Sequence, residues 1–341
     1  MTEINRKWIL RSRPVGLPTR ENFELREEPV PEIVEGQFLA RNLYLSCDPA
    51  QRAWMSRDTY VPMIPLGDVM HSGATAEVIA SKHPGFRPGD IVSGMFGWQD
   101  YAVSEGKGFM PVTKLPPGMP IPASMSSLGV TGLTAYFGLL DVGKPKAGET
   151  VVVSGAAGAT GSIAAQVAKI VGARVIGIAG GSNKCSTLTG ELGLDAAIDY
   201  RSEPVGRRLA ELCPRGIDVY FDNVGGEMLD AALGRIALGG RIVLCGAISG
   251  YNDSDLPAGP RNYTNLIVRR ARMEGFLVTD YAARFPQAIA ELARWAGEGK
   301  LRDRVDIVDG LENAPEAFRR LFTGENFGKQ LVRVAEPSGR A

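Results

Sequence analysis

The chain has 341 residues, 44% of them hydrophobic and 22% charged, a globular composition long enough for two cores. Thirty-eight basic residues balance thirty-eight acidic ones, so no net field recruits nucleic acid or an anionic membrane. No apolar run reaches the roughly 20 residues that span a bilayer, and the first residues lack the apolar core of a secretory signal. Cys47, Cys185, Cys213 and Cys245 lie far apart, which predicts a reduced, cytoplasmic protein without a disulfide framework.

The stretch up to about Ala123 is rich in proline and glycine. Its short apolar runs, Gln37–Leu45 and Ala74–Ala80 among them, alternate with turn signals such as Pro29-Val30-Pro31 and Arg87-Pro88-Gly89-Asp90. That texture predicts an irregular β domain. The segment from Leu115 to Pro122 carries four prolines and reads as an extended linker. Beyond it strands and helices alternate. Strands are expected at Thr150–Val153, Arg174–Ala179, Ala196–Asp199, Val219–Asp222 and Arg241–Cys245, helices at Ser162–Val171, Lys184–Leu192 and Phe285–Gly297. Apolar strands joined by helices imply an α/β fold with a parallel, doubly wound sheet. The tail, Arg304–Val334, reads as strand, helix, strand and is expected to rejoin the β domain. The expected division is a discontinuous β domain, 1–125 with 304–341, around a second domain, 126–303.

The run Val151-Val152-Val153-Ser154-Gly155-Ala156-Ala157-Gly158-Ala159-Thr160-Gly161-Ser162 passes from strand to helix. Its glycines permit a tight turn and close approach of backbone to a pyrophosphate, and the helix that follows points free amides at it. The spacing is Gly-x-x-Gly-x-x-Gly; the flanking strand, helix and second strand give it its meaning. An enzyme using NAD normally ends that second strand with an acid for the ribose 2′-hydroxyl. Here the strand runs into Gly180-Gly181-Ser182-Asn183-Lys184. Lys184 is either a solvated lysine of the first helical turn or a partner for a 2′-phosphate, and the missing acid favours NADPH.

A catalytic zinc needs three protein ligands. Cys47 and His71 stand where related dehydrogenases place two, but the segment Leu128-Gly129-Val130-Thr131-Gly132 offers no third. No metal is expected. Cys47 then reads as a small buried residue, and His71 as either a pocket or a turn residue.

Several motifs carry a resemblance over nearly the whole chain: Tyr44-Leu45-Ser46-Cys47-Asp48-Pro49, Gly132-Leu133-Thr134-Ala135-Tyr136, Tyr220-Phe221-Asp222-Asn223-Val224-Gly225-Gly226, Arg272-Met273-Glu274-Gly275-Phe276 and Gly324-Glu325-Asn326-Phe327-Gly328-Lys329. With the phosphate turn and the stretch Cys245–Asn252, they resemble the zinc-independent medium-chain dehydrogenase/reductases, within them the prostaglandin reductase and alkenal double-bond reductase group. The resemblance implies a GroES-like β domain around a Rossmann domain, and a homodimer. It implies NADPH with its pyrophosphate at Gly158, Ala159, Thr160 and Gly161 and its 2′-phosphate at Lys184 and Tyr200. The nicotinamide half would meet Asn223, Cys245, Ile248, Ser249, Tyr251, Phe276, Leu277, Val278 and Asn326. Two positions depart from the group: Ala50 stands where a tyrosine is usual, and Val268 replaces a tyrosine found upstream of Arg272-Met273-Glu274.

The implied reaction reduces the double bond of an α,β-unsaturated aldehyde or ketone, with hydride passing to the β-carbon and charge building on the carbonyl oxygen as an enolate. A donor to that oxygen is the main catalytic need. Tyr251 and Tyr263 are the candidates, since a phenol stays protonated at neutral pH; either could equally be an ordinary loop tyrosine. Quinone reduction is the alternative reaction on this scaffold. A non-catalytic NADPH-binding protein is the alternative of another class, separated from an enzyme by turnover.

Overall fold

The computed structural model describes residues 3–255 and 258–338. Two compact units divide the chain. The first runs to Met125 and resumes with Val305–Asn326 and from Gln330 onward; the second holds Ser126–Arg304 and Phe327–Lys329.

The first unit opens with β1 (Ile4–Leu10) and β2 (Phe23–Pro29), an antiparallel pair with Ile4 opposite Pro29. Then follow β3 (Phe38–Ser46), a short helix α1 (Ala50–Trp54), β4 (Gly73–Ser81), β5 (Ile91–Met95), β6 (Tyr101–Ser104), β7 (Thr113–Lys114) and α2 (Ile121–Met125). That last helix begins inside the stretch expected to be an extended linker. Only its second residue is proline, and the first helical turn needs no amide there.

The second unit contains α3 (Val130–Phe137), β8 (Thr150–Ser154), α4 (Ala159–Ile170), β9 (Arg174–Ala179), α5 (Ser182–Gly190), β10 (Ala196–Asp199), α6 (Val205–Leu212), β11 (Ile217–Asp222), α7 (Gly226–Leu233), β12 (Ile236–Leu244), α8 (Asn265–Val268), β13 (Arg272–Gly275) and α9 (Phe285–Gly297). All the strand pairs of its sheet are parallel, in the order β10-β9-β8-β11-β12-β13. This is the doubly wound order whose ligand crevice lies at the carboxyl ends of the strands, where the winding reverses beside β8. Both sheet faces are covered: Val151 and Val153 belong to one core and Val152 to another, so every residue of β8 is buried. Ala164, Ala165 and Ala168 give α4 a small-residue face that buries with Val151 and Val153.

The chain returns to the first unit as β14 (Val305–Asp309), α10 (Ala314–Thr323) and β15 (Lys329–Arg333). The second sheet runs β14-β15-β3-β4-β5-β7, with β6 also on β3. Burial explains the return. Leu311, Ala317 and Phe318 share a core with Trp8, Phe38 and Trp98, the Phe318 and Trp98 rings lie 5.6 Å apart, and Trp8 Nε1 donates to the Leu311 carbonyl (2.7 Å). The architecture is a GroES-like β unit and a Rossmann unit.

Candidate functional site

At the end of β8 the chain turns through Gly155, whose φ is +58°, and enters α4 from Gly158, which caps the helix with no side-chain bond. The first amide to find a carbonyl one turn back is that of Ser162, bonded to Gly158 O (3.0 Å). The amides of Ala159, Thr160 and Gly161 precede it and point outward, the arrangement that receives an anion. The approach is tight: a Cβ at Gly161 would lie 2.2 Å from the Gly155 carbonyl oxygen. Small residues and bare backbone therefore fit a pyrophosphate here. Gly158 also forms a parallel bridge to Gly328, and Gly328 N–H donates to Ala157 O (2.9 Å).

Beyond β9, Gly181 starts α5 with φ +94°. Its N–H is taken by Asp199 Oδ1 (2.7 Å), which also accepts the Arg201 N–H (3.0 Å). The backbone N–H of Gly181 thus holds the Asp199 carboxyl below its usual range. This acid ends β10, not β9, and its work is to cap a turn. A Cβ at Gly180 would meet the Tyr200 ring at 2.8 Å and the Arg201 guanidinium at 2.9 Å, so those side chains close over the glycines that precede Lys184. Lys184 Nζ lies 5.9 Å from the centre of the Phe327 ring, and the Arg304 guanidinium stands 3.7 Å above it. Arg201 and Arg304 were missed in the sequence. Arg201 directly follows Tyr200, a signal that was there to read; Arg304 reaches this region only through the fold.

The ends of β8, β11 and β12 are laced together. Asp222 Oδ1 accepts from Ser154 Oγ (2.8 Å), Val224 N–H (3.1 Å) and Gly225 N–H (3.0 Å), and burial pushes its carboxyl up. Asn223 gives its side-chain amide to Ser154 O (2.7 Å) and its N–H to Ser154 Oγ (2.9 Å), while its carbonyl accepts the Ile248 N–H (3.3 Å). Ser249 Oγ donates to Val224 O (2.6 Å). Cys245 N–H bonds Asp222 O (2.9 Å); burial pushes the Cys245 thiol up to about 12, so it is no thiolate at neutral pH. These contacts bring Asn223, Cys245, Ile248 and Ser249 to one edge of the sheet.

The Tyr251 hydroxyl accepts the Ala247 N–H (3.2 Å), which folds the ring back over its own loop. The parallel register of β12 and β13 pairs Leu244 with Gly275, so Phe276, Leu277 and Val278 emerge at the same edge. The Phe276 ring turns into the core, where a Cβ on Gly138 would meet it at 2.4 Å. Leu277 is exposed. Tyr263 stands elsewhere, on a short 3-10 helix tied to α7 by Asn262 N–H donating to Asp230 (2.9 Å), and is 58% exposed. Asn326 belongs to the first unit.

Among the described residues no group of three or more His, Cys, Asp or Glu side chains could hold a metal ion. Gly132 shows one reason. A Cβ there would lie 1.9 Å from the Ser127 carbonyl oxygen, so no ligating side chain fits at that position.

The comparisons with known proteins agree with this geometry. Residues 6–112 match the family described as the N-terminal domain of oxidoreductase, and residues 159–294 the one described as zinc-binding dehydrogenase. The second match covers neither Cys47 nor His71. The NADPH-dependent curcumin reductase of Escherichia coli is 43% identical over 97% of this chain and 97% of its own. Prostaglandin reductase 1 of Mus musculus is 39% identical over 96% and 99%. The crystal structure of CurA in complex with NADPH from Vibrio vulnificus superposes with a TM-score of 0.92 at 42% identity, covering 97% of this chain and 100% of that one. The chain belongs to the zinc-independent medium-chain dehydrogenase/reductase family, in the group of the prostaglandin and alkenal double-bond reductases.

Proposed function

We propose that the protein is an NADPH-dependent oxidoreductase that reduces the carbon–carbon double bond of α,β-unsaturated aldehydes and ketones. The observation that carries this reading is the second unit's sheet edge, where an uncapped, glycine-lined helix start stands beside the end of β9, which runs through Gly180 and Gly181 to Lys184 with no acid, while Tyr200 and Arg201 from the end of β10 close over those glycines. The names of the relatives, a curcumin reductase and a prostaglandin reductase, support the choice of enone.

Gly158, Ala159, Thr160 and Gly161 hold the pyrophosphate, and Lys184 and Tyr200 the 2′-phosphate. Asn223, Cys245, Ile248, Ser249, Tyr251, Phe276, Leu277 and Val278 border the nicotinamide half. Bound NADPH supplies the hydride that goes to the β-carbon. Negative charge then develops on the carbonyl oxygen, and a preorganised donor there lowers the barrier. Tyr251 is the donor we favour over Tyr263: it stands in the loop that follows β12, at the sheet edge, and its oxygen accepts the Ala247 amide. An accepting phenol is polarised towards donation.

The working form is a homodimer in a reducing, cytoplasmic setting, consistent with four free cysteines. No helix among the described residues is long and apolar enough to cross a membrane. The deciding experiment is NADPH oxidation with a panel of enones, enals, quinones and alcohols. Turnover of enones and enals well above quinones supports the reading, preference for quinones replaces it, and binding without any turnover sinks the enzyme reading.

A further inference from the structure

The short strap Phe327–Lys329 belongs to the second unit, as do Arg304 and Lys184, and it carries an aromatic ring to which no role has been given above. The backbone fixes where the strap runs. Gly328 bridges to Gly158 of the phosphate turn, and the next amide, that of Lys329, donates to Arg304 O (2.9 Å). Gly328 has φ +78°, and a Cβ there would lie 2.2 Å from the Arg304 carbonyl oxygen. Only glycine passes so close in that conformation. The place of the residue before it is therefore set by backbone contacts on both sides.

That residue is the half-buried Phe327, and its ring receives two cations. The Arg304 guanidinium lies 3.7 Å from the ring centre and Lys184 Nζ 5.9 Å from it, both within the roughly 6 Å reach of the attraction between a cation and a π face. Arg304 also meets the Glu191 carboxylate at 3.3 Å. Lys184 comes from the first turn of α5 on a flexible four-carbon stem. An aromatic ring restrains such a stem without cancelling its charge, as a carboxylate would, so the ammonium keeps its attraction for an anion. Beside it there is room: a Cβ at Gly181 would meet nothing within 4 Å.

We propose that Phe327 is a positioning residue for cofactor selection: its ring, fixed by the strap and packed against Arg304, holds the Lys184 ammonium where the 2′-phosphate of NADPH binds. The proposal rests on the placement of the 2′-phosphate at Lys184 given above and adds the residue on which that lysine depends. It also gives the two phosphate subsites one support, since Gly328 is tied to the pyrophosphate turn while Phe327 bears on Lys184.

The test measures Kd for NADPH and NADH by isothermal titration calorimetry in the wild type, Phe327→Leu, Phe327→Tyr, Lys184→Ala and the double variant Phe327→Leu with Lys184→Ala. Phe327→Leu keeps an apolar side chain and removes the π face. It is expected to weaken NADPH about threefold more than NADH, the effect of one partly exposed cation–π contact. Phe327→Tyr, which keeps the ring, should retain the wild-type preference. In the double variant the preference should equal that of Lys184→Ala alone, because the ring has no ammonium left to position. A ring that only fills space would weaken both cofactors alike. Equal losses in Phe327→Leu, with Lys184→Ala still selective against NADPH, overturn the proposal and leave the 2′-phosphate reading standing. An effect of Phe327→Leu that persists in full without Lys184 overturns it as well. If Lys184→Ala spares the preference for NADPH, the placement of the 2′-phosphate at Lys184 fails and the proposal falls with it.

Discussion

Single side chains carry the sharpest consequences. Lys184 follows the glycines at the end of β9, where an acid would select the other cofactor, and a charge-assisted bond contributes about 1.5–3 kcal/mol. Lys184→Ala is expected to weaken NADPH binding by roughly tenfold to a hundredfold and to leave NADH nearly unchanged. Equal losses in a two-cofactor titration would remove Lys184 from the 2′-phosphate. Tyr251→Phe deletes one hydroxyl and little volume, so NADPH should still bind while the single-turnover rate with an enone falls by about a hundredfold. A loss under about fivefold hands the oxyanion to another donor. Asp222 predicts a pH dependence. Burial raises its carboxyl in the folded chain, so the folded state holds that proton more tightly than the unfolded one. The stability this provides is present below the unfolded value of about 3.9 and is lost as the pH rises through the folded value. Asp222→Asn keeps an acceptor oxygen without the charge. Its thermal midpoint, relative to the wild type, should therefore be more favourable at pH 7 than near pH 4. A gap that moves the other way would mean that the charged carboxylate stabilises the turn.

Among the elements, β13 is the one whose surroundings call for a partner. It is one of the two outer strands of the parallel sheet, with open backbone groups, and nearby Ile267 and Val268 are 76% and 63% exposed. Open edges beside apolar side chains are pairing surfaces. Antiparallel pairing with a second copy, centred on Met273, sets Arg272 opposite Glu274 in both directions, a self-complementary arrangement suited to a two-fold axis. Sedimentation of the wild type should give two chains per particle, and Ile267→Asp with Val268→Asp should shift it towards one. A wild-type monomer at micromolar concentration would end the homodimer reading. β9, β10 and α9 were legible because their apolar residues repeat with the right period. β13 was not, since Arg272-Met273-Glu274-Gly275 has one large apolar residue in four. α3 was hidden by Gly129 and Gly132, which look like loop residues; Gly132 is instead required by the nearby Ser127 carbonyl. The phosphate turn announced itself because its chemistry is local. Tyr251's bond to Ala247 and the gathering of Arg304 and Phe327 near Lys184 depend on the folded chain, and no spacing rule reports them.

At the scale of the whole chain, the steric block at Gly132 and the lack of a three-ligand cluster among the described residues predict activity that survives chelation. Elemental analysis of purified protein should find far less than one zinc per chain, and stoichiometric zinc whose removal abolishes turnover would contradict it. The course of the chain has another consequence. The second unit is completed by Phe327–Lys329, three residues that arrive only after the chain has gone back to the first unit. They bring Gly328 N–H to Ala157 O and Lys329 N–H to Arg304 O, both at 2.9 Å, and the Phe327 ring beneath Arg304. A gene fragment cut at the visible borders, 126–304, would encode the full parallel sheet yet omit the strap beneath its own phosphate turn. Recombination that moves this cofactor unit into another protein therefore needs two crossovers to stay joined, or a grafted tripeptide, whereas a single splice yields a sheet that folds around an unsupported turn.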